Sequence, residues 1–99
     1  DRSFDLEATG ISLLPRVLES TPPYIDAVKR GSPAHHLGLR PDDLIVLCEG
    51  TVIQSAEQLV DQLKKIDARD PVAIGVMRKG EILRFKLEMP QSSPEEKRP

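Results

Sequence analysis

Arg30-Gly31-Ser32-Pro33-Ala34, then Leu37-Gly38-Leu39-Arg40-Pro41-Asp42-Asp43-Leu44-Ile45, stands in the middle of this 99-residue chain. Ser32 followed by Pro33 predicts a helix start, with the hydroxyl as N-cap and proline at the first helical position. Gly38 ends that helix early, because glycine takes the left-handed conformation of a C-terminal cap without strain. Leu44 to Cys48 is then a continuous apolar run, short enough for a buried strand rather than a helix. Glu49-Gly50 turns the chain.

Beyond the turn, Ser55-Ala56-Glu57-Gln58 has the form of a capping box. The Ser55 hydroxyl can accept the Gln58 N–H while the glutamine side chain reaches back to the cap. Ala56, Leu59, Val60 and Leu63 follow at i, i+3, i+4 and i+7, one apolar face of a helix expected over Ser55–Ile66. Lys64 and Lys65 suit the negative end of its dipole. Val72–Met77 and Glu81–Met89 predict a hairpin joined by Arg78-Lys79-Gly80. In its second strand Leu83, Phe85, Leu87 and Met89 alternate with Arg84, Lys86 and Glu88, one face dry and the other wet. From Pro90 onward little can be buried beyond proline rings, so 91–99 is expected to be a disordered tail.

On the other side of the motif, Tyr24–Lys29 reads as a short strand and Pro15–Pro23 as a loop. Phe4–Leu14 reads as a strand interrupted at Gly10, by a bulge or by close approach of another backbone. The order is strand, strand, short helix, strand, long helix, strand, strand. It predicts an α+β domain over residues 3–90: a small, five- to six-stranded, mostly antiparallel curled sheet or partly open barrel, with two helices.

Composition narrows the function. A net charge of −2 argues against nucleic acid as the main partner, since phosphate contacts need clustered Lys and Arg. No apolar run reaches the ~18 residues of a membrane span, so no stable membrane insertion is expected. The aromatics are only Phe4, Tyr24 and Phe85, so the core must be aliphatic. The single Cys48 cannot form an internal disulfide and sits in an apolar strand, where an inert thiol is expected. His35 and His36 are neighbours, which do not share a helix face, and no convincing metal-ligand set surrounds them. There is no P-loop, Gly-x-Ser-x-Gly elbow, His-Glu-x-x-His or dinucleotide fingerprint. No catalytic residue, metal or cofactor is expected. The chain opens at Asp1 without methionine and reads as a piece of a longer protein.

From about Phe4 to Met89 the chain resembles PDZ domains. Gly10-Ile11-Ser12-Leu13 looks like the end of their glycine-containing loop and the strand after it. The middle motif is similar to their most recognisable stretch, including its form in HtrA-type proteases. Glu49-Gly50 stands where they usually carry Asn-Gly, and the helix from Ser55 matches their second helix. The resemblance implies a protein-interaction module that takes an extended peptide as an added strand, in a groove between Ile11–Leu14 and Ser55–Ile66. It places Thr9, Gly10, Ile11, Ser12, Leu13 and Leu14 along the peptide, with the N–H groups of Thr9, Gly10 and Ile11 as a nest for a terminal carboxylate. Ile11, Leu13, Val60 and Leu63 would form the pocket for the ligand's last, apolar side chain. Ala56 matches the position that meets the third residue from the end. It offers no hydrogen bond there, so an apolar partner is expected.

Asp5 and Glu7 disfavour a free carboxylate by like-charge repulsion, so C-terminal and internal segments both remain open as ligands. Two settings also remain open. One is a larger cytoplasmic scaffold or adaptor, at membrane-associated complexes through receptor tails. The other is the substrate-recognising domain of an HtrA-type serine protease. Self-association through the same strand edge is a third use.

Overall fold

A computed structural model describes residues 3–15 and 21–90. The expectations for 91–99 and for 16–20 of the Pro15–Pro23 loop lie outside the described residues. Six strands and two α-helices run through those residues: Ile11–Leu13 (β1), Ile25–Val28 (β2), Pro33–Leu37 (α1), Leu44–Cys48 (β3), Thr51–Val52 (β4), Ala56–Leu63 (α2), Val72–Arg78 (β5) and Glu81–Leu87 (β6).

The central motif folds as its residue types require. Ser32 Oγ accepts the His35 N–H at 3.2 Å, and Pro33 opens α1. Gly38, at φ 100°, closes it, and Leu39 donates its N–H back to Ala34 O. Arg40-Pro41-Asp42-Asp43 is a turn with Asp42 at φ 75°, a conformation that Asp tolerates better than most residues. The Asp43 side chain is almost wholly buried. It accepts the Arg40 N–H at 3.0 Å and binds Arg78 through both carboxylate oxygens, at 2.8 and 2.6 Å. Arg78 also donates to Gly38 O at 2.9 Å, so one guanidinium joins β5 to the end of α1.

The strands form a four-stranded antiparallel sheet in the order β4-β3-β5-β6 and a separate antiparallel pair, β1-β2. A Tyr24–Leu44 bridge brings β2 to the start of β3, and the barrel is not closed. A bulge leaves Val46 of β3 without a partner in β5. Its carbonyl accepts the Ile53 N–H instead. The shifted register then carries Cys48 inward beside Ile45. The core is aliphatic as expected, with Ile11, Ile25, Ile45, Leu59, Ile74 and Leu87 among its fully buried side chains and Phe4 its buried aromatic.

Four local expectations change. Phe4–Leu14 is not one strand: Glu7–Thr9 forms a turn of 3-10 helix, and only Ile11–Leu13 is extended. The Thr9 hydroxyl donates back to Leu6 O, and Gly10 at φ 104° ends the turn. Helix α2 ends at Leu63; the Lys65 and Ile66 N–H groups then donate three residues back, to Gln62 O and Leu63 O, and tighten the last turn. Gln58 does not reach the Ser55 N–H; its side chain accepts from Gln54 N and donates to Val52 O, both at 2.8 Å. Arg78 belongs to β5, leaving Lys79-Gly80 as the two-residue hairpin loop.

Candidate functional site

β2 occupies one edge of β1. Lys29 donates its N–H to Gly10 O at 2.8 Å, and Leu14 donates to Tyr24 O at 3.0 Å. The Gly10 carbonyl, the Ser12 main chain and the Leu14 N–H therefore face β2, and alternation turns the main-chain groups of Ile11 and Leu13 the other way. Among the described residues no strand pairs with that second edge.

A cleft of about 390 Å³ lies between this edge and α2. Ile11, Leu13, Leu14 and Pro15 line it from β1 and its continuation; Ala56, Val60, Leu63 and Lys64 line it from the helix. Phe4, Asp5, Leu6 and Glu7 stand at the end where α2 finishes, held there by the Phe4 N–H donating to Ile66 O at 2.7 Å. The helix face divides two ways. Leu59 points into the core, Val60 is half-buried at the cleft, and Ala56 and Leu63 do both. A volume of this size accepts one or two apolar side chains.

Of the residues singled out from the sequence, Ile11, Leu13, Leu14, Ala56, Val60 and Leu63 meet at this cleft. Thr9, Gly10 and Ser12 do not line it. Thr9 is fully buried, and its N–H donates to Leu6 O at 3.1 Å. The Gly10 N–H donates to Glu7 O at 3.0 Å. A nest of three successive amides is thus not formed in this conformation, because the 3-10 turn takes two of them. Ser12 carries its side chain on the exposed side of β1. Sequence reasoning missed Phe4, Leu6, Pro15 and Lys64. The i, i+4 spacing of Val60 and Lys64 would have placed the lysine on the same face. No spacing marks Phe4 and Leu6, whose alternation with Asp5 and Glu7 imitates a strand.

The charges at the cleft are the carboxylates of Asp5 and Glu7 and the ammonium of Lys64. Away from it, burial pushes the Asp43 carboxyl up, but hydrogen bonds from Arg78 and the Arg40 N–H, with both positive charges, outweigh it. The net effect holds Asp43 below the usual carboxylate range. Burial, helped by the charge of Glu49, pushes the Cys48 thiol up to about 11. His35 accepts the Gly31 N–H at Nδ1, 3.1 Å away. Among the described residues no group of three or more His, Cys, Asp or Glu could hold a metal ion, and no helix is long and apolar enough to cross a membrane.

Among solved structures the chain is similar to the HtrA-type protease AlgW with a decapeptide, at 19% identity and a TM-score of 0.64. The match covers 87% of this chain and 30% of that one. At this identity the likeness concerns the fold. The family model for the PDZ domain matches residues 10–89, from the glycine before β1 to the end of the last hairpin. This chain therefore belongs to the PDZ domain family, whose members are non-catalytic modules that bind peptides and join proteins.

Proposed function

We propose that this domain captures an extended polypeptide by strand addition to the free edge of β1. The observation that carries the reading is the juxtaposition of that edge with an apolar cleft beside α2. Main-chain groups of Ile11 and Leu13 would pair with the incoming strand, Ser12 would hold the register with β2, and Leu14 would continue the contact. One ligand side chain would enter between Ile11, Val60 and Leu63, and the side chain two residues away would meet Ala56. Ala56 offers only a methyl group, which supports an apolar preference there. An interface this small gives reversible binding, on the order of micromolar.

The wider setting proposed is a cytoplasmic scaffold or adaptor; the lone, buried thiol of Cys48 demands no oxidising compartment. The test of the module itself is an NMR titration of the 99-residue chain with apolar decapeptides. Strand addition requires the Ile11 and Leu13 amides to shift downfield and gain exchange protection, together with shifts at Val60 and Leu63. Shifts confined to another surface would refute it.

A further inference from the structure

Among the described residues, the end of the cleft beside Asp5 and Glu7 has few donors to offer an anion. The amides of Phe4, Glu7, Ala8, Thr9 and Gly10 are already donated, to Ile66 O, Asp5 Oδ1, Asp5 O, Leu6 O and Glu7 O. The Thr9 hydroxyl is donated as well, to Leu6 O. A carboxylate arriving there would meet the N–H groups of Leu6 and Ile11 and the solvent-exposed Lys64, facing two carboxylates that line the same end. Taking an anion out of water without compensating donors is costly, and like charges raise that cost.

A chain that continues past this point presents a different chemistry. It brings alternating N–H and C=O groups, which match the Ile11 and Leu13 main chain, and no terminal charge. A basic side chain carried beyond the cleft would meet Asp5 and Glu7 with the complementary sign.

Resting on strand addition at this cleft, we propose that the site takes an internal extended segment rather than a free carboxyl end. The segment carries Lys or Arg where it leaves past Asp5 and Glu7.

The probes are three forms of one decapeptide with Val at its last and third-from-last positions. One is the free acid, one the carboxamide, and one is continued by Lys-Lys-Gly as an amide. Each is titrated into the 99-residue chain by calorimetry, and its site is mapped by NMR. The expected order is continued form, then amide, then acid, with about tenfold between the first and last at low salt. The D5N/E7Q variant should narrow the gap severalfold, and so should high salt, because both weaken exposed charge pairing. An acid that binds at the cleft more tightly than its amide overturns this inference and leaves strand addition standing. If none of the three shifts Ile11 and Leu13, strand addition falls too, and the inference with it.

Discussion

Gly10 passes so close to Ser32 that a Cβ on the glycine would lie 2.1 Å from the serine Oγ and 2.3 Å from its Cβ. The glycine that ends the 3-10 turn before β1 is thus packed against the N-cap of α1. Two parts of the sequence that read as separate signals form one contact. Gly10 also holds φ 104°, which side-chain-bearing residues adopt at a cost of ~1–2 kcal/mol.

Gly10→Ala should therefore combine strain with overpacking and lower stability by about 3 kcal/mol, read from urea unfolding. Adding Ser32→Gly should recover part of that loss, since it removes the clashing atoms and leaves the backbone strain. Strictly additive effects of the two substitutions would rule the contact out as the cause.

Asp43 and Arg78 make the buried ion pair that ties the turn after α1 to β5. Removing the carboxylate leaves the guanidinium partly buried without its partner, so Asp43→Ala should cost about 3–5 kcal/mol. The pair also sets a pH dependence. Because the Asp43 carboxyl lies below its ordinary value when folded, its contribution is fully present above the unfolded value of about 4. It is lost as pH falls through the lower, folded value. Urea midpoints measured from pH 6 downward should fall more steeply below that point in the parent than in Asp43→Asn. Parallel profiles would mean that the pair contributes nothing to acid stability.

Much of this fold is legible in the sequence because its signals are local. Ser32 with Pro33, Gly38, the Ser55 cap and the alternation of β6 each specify a few residues without reference to the rest. What is not legible depends on contacts between distant parts. Arg78 reads as a turn residue until Asp43, 35 positions away, is brought beside it. Phe4 to Thr9 alternates like a strand, yet the Thr9 hydroxyl and Gly10 wind it into a 3-10 turn. That turn removes amides which the family resemblance assigns to a ligand. Periodicity marks the apolar face of the helix, and only the family resemblance makes that face and Ile11–Leu14 the walls of a cleft; neither marks its end.

Lys79 and Gly80 occupy the two-residue loop of the β5–β6 hairpin at φ 51° and 82°, the left-handed pair of a type I′ turn. Lys79 is exposed, and asparagine takes its conformation more readily. Lys79→Asn should raise stability by about 0.5–1 kcal/mol in thermal unfolding. Glu49 occupies the matching place before Gly50 at φ 54°, but its carboxylate accepts the Ala73 N–H at 2.7 Å. Glu49→Asn should therefore gain less than Lys79→Asn; an equal gain would show that the bond to Ala73 is without effect.

Cys48 combines full burial with a thiol pushed up to about 11, so little thiolate exists near neutral pH. With an aromatic disulfide reagent at pH 8, the native chain should stay unmodified while the urea-unfolded chain reacts at once. Modification of the native chain at the unfolded rate would mean that β3 opens far more readily than its packing allows.

Val60 and Leu63 both line the cleft but differ in what lies behind them. Val60 is half-buried, whereas Leu63 is 4% exposed and part of the core. Val60→Glu places a charge in the cleft with little loss of core packing. It should weaken decapeptide binding by at least about tenfold, since a desolvated carboxylate opposes an apolar side chain, while stability changes by about 1 kcal/mol or less. Leu63→Ala should cost about 2–5 kcal/mol, so any loss of binding would be mixed with unfolding. Calorimetric titration beside urea unfolding separates the two. Unchanged binding in folded Val60→Glu would place the peptide somewhere other than this cleft.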